Sequence, residues 1–387
     1  MIARFQTARK AALRLFAALA LLGAAACAPL ETGGGGGAVD PNAPVRVALL
    51  VPGGSGSGTD ALLARNLENA ARLAIRDLNG ARIDLQVYNT AGRPGTAASA
   101  AQRAVDEGAQ IILGPLFAEA ANAAGVAVAD EGINVLAFSN NTAIAGGNVF
   151  VLGPTFRNTA DRLVRYGRRT GIRSYVVAHA DTVPGNAGRD AIVGAVQQNG
   201  GTVAAVQSYP LSQNGIQSAA GPIANAVQST GAQAVFTTAV PGDELSLIST
   251  GIKERAPVQL VGLTRWNSEA RFQSLPALQG GLFTVPDQSL QRQFEARYRA
   301  AYGQPPHPIA GLAYDGIAAV GALISSGNRQ ALSSRALTQR SGFRGTGGIF
   351  RLRTDGTNER ALAVAELRNN QVVILDPAPS RFGGAGF

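Results

Sequence analysis

Hydrophobic positions along this chain change period repeatedly, and the changes follow one rule. Val45–Val51 is an apolar run of strand length that stops at Pro52-Gly53-Gly54-Ser55-Gly56-Ser57-Gly58. Beyond it Leu63, Leu67, Ala70, Ala71, Ala74, Ile75 and Leu78 recur at three and four, the period of one helix face, and Asn79-Gly80 supplies the stop. Ile83, Leu85 and Val87 then alternate as a strand. Helical period over 97–107 and 119–131 brackets a short buried strand at Ile111–Leu113, and another strand is predicted at 133–138. The same grammar restarts after Val149 to Gly153, with helices over 159–169, 188–198, 217–229 and 244–255 and strands over 175–178, 203–206, 234–237 and 258–262. Alternation of this kind predicts an α/β fold, with parallel sheets covered by helices on both faces. Two helices, 290–302 and 309–325, break the alternation, and a hairpin of 361–367 and 372–375 turning at Asn369-Asn370 closes the chain.

The length, 387 residues, calls for more than one core. Two series of strand and helix supply two lobes, and Glu107-Gly-Ala-Gln-Ile-Ile112 is echoed by Thr230-Gly-Ala-Gln-Ala-Val235 at a comparable place in the second. The net charge of +9 suggests a polyanion partner until Arg4, Arg9, Lys10 and Arg14 are set aside, which leaves +5 spread among acids along helices. Charge distributed in that way is a solvated surface, so no nucleic-acid partner is expected.

Those four basic residues begin a separate element. Residues 1–26 have a basic start and twelve apolar residues from Leu15 to Ala26, too few to span a bilayer, and read as an export signal peptide. Cys27, the sole cysteine, follows directly, so the fold has no disulfide. Ala24-Ala25-Ala26-Cys27 resembles a bacterial lipobox, which implies lipidation at Cys27 and attachment to a membrane; Ala24-x-Ala26 also fits ordinary signal cleavage. Residues 27–44 are rich in glycine and read as a flexible tether.

Chemistry is sparse. Gly56-x-Gly58 continues to Ala61, not to a third glycine, and the next strand ends at Tyr88-Asn89 without the acid that a dinucleotide fingerprint needs. The histidines are two, His179 and His307, with no Gly-x-Ser-x-Gly elbow and no third ligand spaced for a metal. No enzyme activity, cofactor or metal is expected. His307 lies in Pro305-Pro306-His307-Pro308 and reads as structural, whereas His179 ends a strand and either orients its own loop or faces a ligand. The loops at the carboxyl ends of strands are small and polar, holding Ser55, Ser139, Asn140, Asn141, Asp181 and Thr238. Such ends converge on the crevice of a doubly wound sheet, where amides and hydroxyls suit a small polar ligand; turns need the same residue types.

Val45 to Pro52, Ile112-Leu-Gly-Pro-Leu116, Val135 to Asn141, Ala301-Tyr-Gly-Gln-Pro-Pro306, Ala313-Tyr-Asp-Gly-Ile317 and Gly347-Gly-Ile-Phe350 together resemble the type I periplasmic binding proteins of the leucine-binding-protein family. The resemblance implies two Rossmann-like lobes, 45–150 with 284–340 and 151–283 with 341–376, before a tail of 377–387. It also implies three crossover segments, near 151–155, 284–287 and 341–347, around a ligand cleft. Members that bind amino acids place a Ser/Thr pair where Phe117-Ala118 stands here and a Tyr-Gly where Pro184-Gly185 stands, so Phe117 joins the cleft residues and amino-acid capture is not expected. The chain is more similar to the penicillin-binding protein activators, outer-membrane lipoproteins of this fold. Ala28 after Cys27 fits outer-membrane sorting. That resemblance implies a peptidoglycan synthase as partner; the alternative is a substrate-binding protein that delivers an amino acid or other small polar solute to an ABC permease.

Overall fold

The computed structural model describes residues 39–40 and 43–383. Cys27 and the signal segment lie outside the described residues. The first lobe is a five-stranded parallel sheet in the order β2-β1-β3-β4-β5, built from Val45–Val51 (β1), Ile83–Asn89 (β2), Ile111–Leu113 (β3), Val135–Ala137 (β4) and Val149–Val151 (β5). Because both faces of β1 and β3 are covered, every residue of β3 and nearly all of β1 is buried, which is why these runs are apolar without alternation. On one face Leu67, Ala70 and Ala74 of α1 (Gly58–Asp77) pack with Phe294 and Tyr298 of α9 (Gln288–Tyr302) and Ile317 and Val320 of α10 (Ala310–Ile324). On the other face lie the alanine-rich α2 (Pro94–Asp106) and α3 (Ala118–Ala127).

The second lobe is a mixed sheet of seven strands, β15-β14-β10-β9-β8-β6-β7. Its parallel part is Ser174–Ala180 (β6), Thr202–Tyr209 (β7), Ala234–Thr237 (β8), Gln259–Gly262 (β9) and Leu282–Val285 (β10). The hairpin of Ala363–Arg368 (β14) and Gln371–Asp376 (β15) adds to β10 antiparallel. Asn369 and Asn370 both take positive φ, 51° and 62°, the conformation of a tight hairpin turn that asparagine tolerates. Phe156–Thr170 (α4) and Val183–Gln198 (α5) cover one face, and Gln213–Thr230 (α6) and Asp243–Lys253 (α7) the other.

Two expectations are corrected here. The third passage between lobes is not at 341–347. Phe343–Gly345 (β11), Gly348–Leu352 (β12) and Asn358–Arg360 (β13) form a separate three-stranded sheet, and Phe343, Phe350 and Leu352 bury their side chains in the core of the first lobe. The chain crosses afterwards, at 361–362, before β14 joins the second sheet. The end of the tether is not free either, because Val39 is buried in the same core and its N–H donates to the carbonyl of Arg329 at 2.8 Å. It is a branched apolar residue in a stretch made mostly of glycine and small or polar residues, and burial recovers its transfer energy.

The passages are cross-braced. Arg360 donates to the carbonyl of Leu152 through Nε at 3.0 Å and Nη2 at 2.6 Å, and its Nη1 lies 3.0 Å from the buried carboxylate of Asp315 on α10. Asn358 Nδ2 donates to Val151 and Gly153 carbonyls, both at 2.8 Å. On the second lobe, buried Arg162 of α4 donates to the Leu362 carbonyl at 2.6 Å. The first passage leaves the carboxyl edge of the first sheet, where Leu152 and Gly153 donate to Ala137 and Ser139 carbonyls, and runs straight into α4. That helix carries the chain back along the second sheet to the start of β6, so its first turn marks that sheet's carboxyl edge. The carboxyl edges of both sheets therefore adjoin at the hinge.

Candidate functional site

On the first lobe, Ser55 follows β1; its hydroxyl donates to Asp60 Oδ2 at 2.7 Å and accepts from the Ser57 N–H at 3.1 Å. The loop is held by its own side chains, and Ser57 caps α1 by accepting from the Asp60 N–H. After β4, Ser139 is buried and accepts from the Asn141 N–H at 3.1 Å, while Asn141 accepts from the Ala143 N–H at 2.9 Å. Asn140 between them is exposed. Phe117 begins α3 and stays 40% exposed, its ring lying against Gly92 after β2. Ser55, Phe117 and Ser139 to Asn141 thus share one edge, at the ends of β1, β3 and β4.

On the second lobe, Asp181 follows β6, exposed, with its Oδ1 accepting from Asn186 Nδ2 at 3.4 Å. Thr238 follows β8; it is 7% exposed and its hydroxyl has no hydrogen-bond partner. Buried polar atoms are nearly always paired, and this hydroxyl is among the exceptions. The two edges bring the seven expected residues to the facing rims of the lobes.

Sequence reading missed part of the second rim. Glu244, in the first turn of α7, is buried; its Oε1 accepts from Tyr209 Oη at 2.8 Å and its Oε2 from the Val240 N–H at 3.1 Å. The helix start favours this carboxylate, and burial together with Glu244 pushes the Tyr209 hydroxyl pKa up. Arg265, three residues past β9, was also missed. The rule that flagged the other loops, a position just beyond a strand's carboxyl end, applies to it equally. Thr264 beside it donates to the Ala239 carbonyl at 2.8 Å and the Leu263 N–H to the Thr237 carbonyl at 3.0 Å, so the loops holding Thr238 and Arg265 are clamped together.

His179 is 2% exposed with Nδ1 3.1 Å from the Ala180 carbonyl, which leaves it orienting its own strand end. His307 accepts at Nδ1 from the Ile309 N–H at 3.3 Å, and its own N–H donates to Asn66. Among the described residues no group of three His, Cys, Asp or Glu is placed to hold a metal ion, and no helix is long and apolar enough to cross a membrane. The arginine-lined recess at the hinge, between Arg162, Asn358 and Arg360, has about 20 Å³, room for a single water. A larger groove of about 610 Å³ between Asp77, Arg297, Tyr314 and Arg344 lies on the first lobe away from the rims.

Two lobes whose carboxyl edges adjoin at a three-passage hinge make a ligand-binding architecture, and the family comparison agrees. A model of the periplasmic binding protein family matches residues 44–371. The chain belongs to that family. As a periplasmic binding protein of leucine-binding type it has a fold that serves extracytoplasmic ligand capture. No curated relative matches the chain. Solved structures that share the fold include a branched-chain amino acid ABC transporter protein from Rhodospirillum rubrum, 18% identical with TM-score 0.73, covering 86% of this chain and all of that one. An ABC transporter substrate-binding protein from Desulfitobacterium hafniense in complex with Leu is 18% identical with TM-score 0.61, at 86% and 100% coverage. A solute-binding protein from R. palustris in complex with benzoate is 20% identical with TM-score 0.56, covering 88% and 98%.

Proposed function

We propose that this periplasmic binding protein captures a small solute between its lobes and presents it to an ABC permease, without turning it over. The observation that carries the reading is the distribution of exposed apolar side chains. Of the eight large ones among the described residues, Leu62 and Phe117 stand on the first rim and Val183, Leu211 and Val240 on the second. Of the other three, Val206 and Ile374 lie on the sheet's edge strands and Val126 near the end of α3. Apolar surface gathered on two facing rims gains by being covered, and hinge closure over a solute covers it. Relatives of the same fold hold leucine in one case and benzoate in another, so the fold leaves the solute to the rim residues.

The activator reading rests on the segment around Cys27 and on Phe117-Ala118 and Pro184-Gly185 standing where amino-acid binders carry polar groups, a departure that argues against amino-acid capture but not against capture of another solute. We further propose that Cys27 is lipidated: Cys27→Ser should move the protein from the detergent phase to the aqueous phase in a partition experiment. The two functions separate by affinity capture from solubilised envelope with the full chain as bait. Uptake predicts recovery of a permease with its nucleotide-hydrolysing subunit; recovery of a peptidoglycan synthase without a permease sinks it.

A further inference from the structure

We propose that β2 is a dimerisation edge, which pairs antiparallel with β2 of a second copy of this chain about a two-fold axis through Gln86. The inference does not depend on the uptake reading. It concerns the edge of the first sheet opposite β5, from which the chain enters the hinge.

The sheets of the two lobes end in four edge strands, β2, β5, β7 and β15. Open edges pair with other chains, and folded proteins blunt them with bulges, cover or charge. β7 and β15 each carry a bulge, where the register with β6 skips Ala204 and that with β14 skips Leu375. β5 is covered, because the Val151 N–H donates to the Gly356 carbonyl at 2.8 Å and Val149 exchanges bonds with Gly146. β2 has neither device. Its seven residues keep one register with β1, from Val45 opposite Ile83 to Val51 opposite Asn89, and include no proline or lysine. The Val45 N–H donates to the Arg82 carbonyl and the Thr90 N–H to the Val51 carbonyl, both at 2.9 Å, which sets the phase of this ladder. Alternate residues of a parallel strand turn both backbone groups to the same neighbour, so Asp84, Gln86 and Tyr88 bond to β1. The N–H and C=O groups of Ile83, Leu85, Val87 and Asn89 point away from the sheet, and no backbone partner reaches them from that side among the described residues.

A second copy is the occupant because the strand is complementary to itself. With Gln86 on the axis, antiparallel pairing sets Leu85 against Val87 and Ile83 against Asn89, so the outward groups of both copies bond to each other along the whole strand. Leu85 and Val87 are half-buried against the first core, and each gains cover from its opposite number across the axis. On the other face Asp84 stands opposite Tyr88, and Gln86, which is exposed, stands opposite its own copy, so no like charges meet. The surroundings are balanced as well. Asp84 is paired with Arg46 at 3.0 Å, while Tyr88 donates to Glu107 Oε2 at 2.6 Å and carries Arg103 over its ring at 5.6 Å. Two acids and two arginines thus flank the edge, and a second copy meets no net charge there.

The test uses the full chain with Cys27→Ser, which removes the sole cysteine. Sedimentation equilibrium at submillimolar concentration should give twice the mass of one chain. Gln86→Cys in that background should form an intermolecular disulfide under mild oxidation, because directly opposed residues of a non-hydrogen-bonded antiparallel pair lie about 4.5 Å apart at Cα, within disulfide reach. Val206→Cys, on the bulged edge β7, should not. Gln86→Lys places like charges on the axis at an exposed position, and Val87→Pro removes an outward N–H while leaving the ladder to β1 intact. Each should sediment as a monomer, Gln86→Lys with an unchanged melting temperature. The assignment is overturned if the Cys27→Ser chain is monomeric throughout, if both Gln86→Lys and Val87→Pro stay dimeric, or if Gln86→Cys cross-links no faster than Val206→Cys.

Discussion

Thr238 and His307 show how single residues carry consequences that can be measured. An unsatisfied buried hydroxyl costs about 1–3 kcal/mol, and a same-shaped apolar replacement removes that cost. Thr238→Val should therefore leave the unliganded protein as stable or up to about 1 kcal/mol more stable in urea unfolding. A clear loss of stability would show that the hydroxyl has a structural partner. His307 works through protonation. Burial holds its pKa below the usual 6.5, so the unfolded chain binds a proton at this site more readily than the folded one. The folded state is then penalised as pH falls through 6.5 toward the depressed value, and stability rises with pH across that window. Melting curves of His307→Gln should fall less steeply than wild type between pH 7 and the depressed value.

At the scale of elements, the joints between passages and helices matter more than the helices themselves. Arg162 of α4 is 4% exposed, donates to carbonyls of Leu362, Asp376 and Pro377, and has Nη1 2.9 Å from Asp376 Oδ2. That Nη1 contact is close in distance without hydrogen-bond alignment, so the carbonyls hold the geometry and the ion pair supplies charge balance. Removing the guanidinium leaves the buried Leu362 carbonyl and the part-buried carbonyls of Asp376 and Pro377 without this donor, while Asp376 keeps Arg169 as an ion-pair partner. Arg162→Met should cost about 1–3 kcal/mol in urea unfolding, the range for a buried acceptor left without its donor. The hairpin of β14 and β15 depends on its turn in a smaller way. Asn370→Val, at φ 62°, should cost about 1–2 kcal/mol, whereas Asn370→Gly should be neutral or stabilising.

For the whole molecule, two lobes braced at three passages have one soft coordinate, the angle at which the rims face each other. Arg360 joins that hinge to the first lobe through Leu152 and Asp315, and Asp287 joins it through its N–H to the Gly347 carbonyl at 2.8 Å. The radius of gyration from X-ray scattering should fall when a solute that raises the melting temperature is added, because closure brings the rims together. Equal radii with and without such a solute would mean that it binds without closing the lobes.

The sequence by itself determined the series of elements. Parallel strands buried on both faces read as unbroken apolar runs, helices as three-and-four periods, and the loops after them as polar turns, so the lobes and most rim residues were legible. Asn369-Asn370 announced its hairpin because only a few residue types accept positive φ. Tertiary structure decided what no local pattern encodes. The strands of 343–360 are three to five residues long and alternate weakly, and only the burial of Phe343, Phe350 and Leu352 in the first core shows that the crossing lies beyond them. Val39 looked like tether until a core accepted it. Arg265 carries the same side chain as many surface arginines here. Its distinction is that no acceptor among the described residues pairs its guanidinium, a property of what surrounds it and not of its neighbours in the chain.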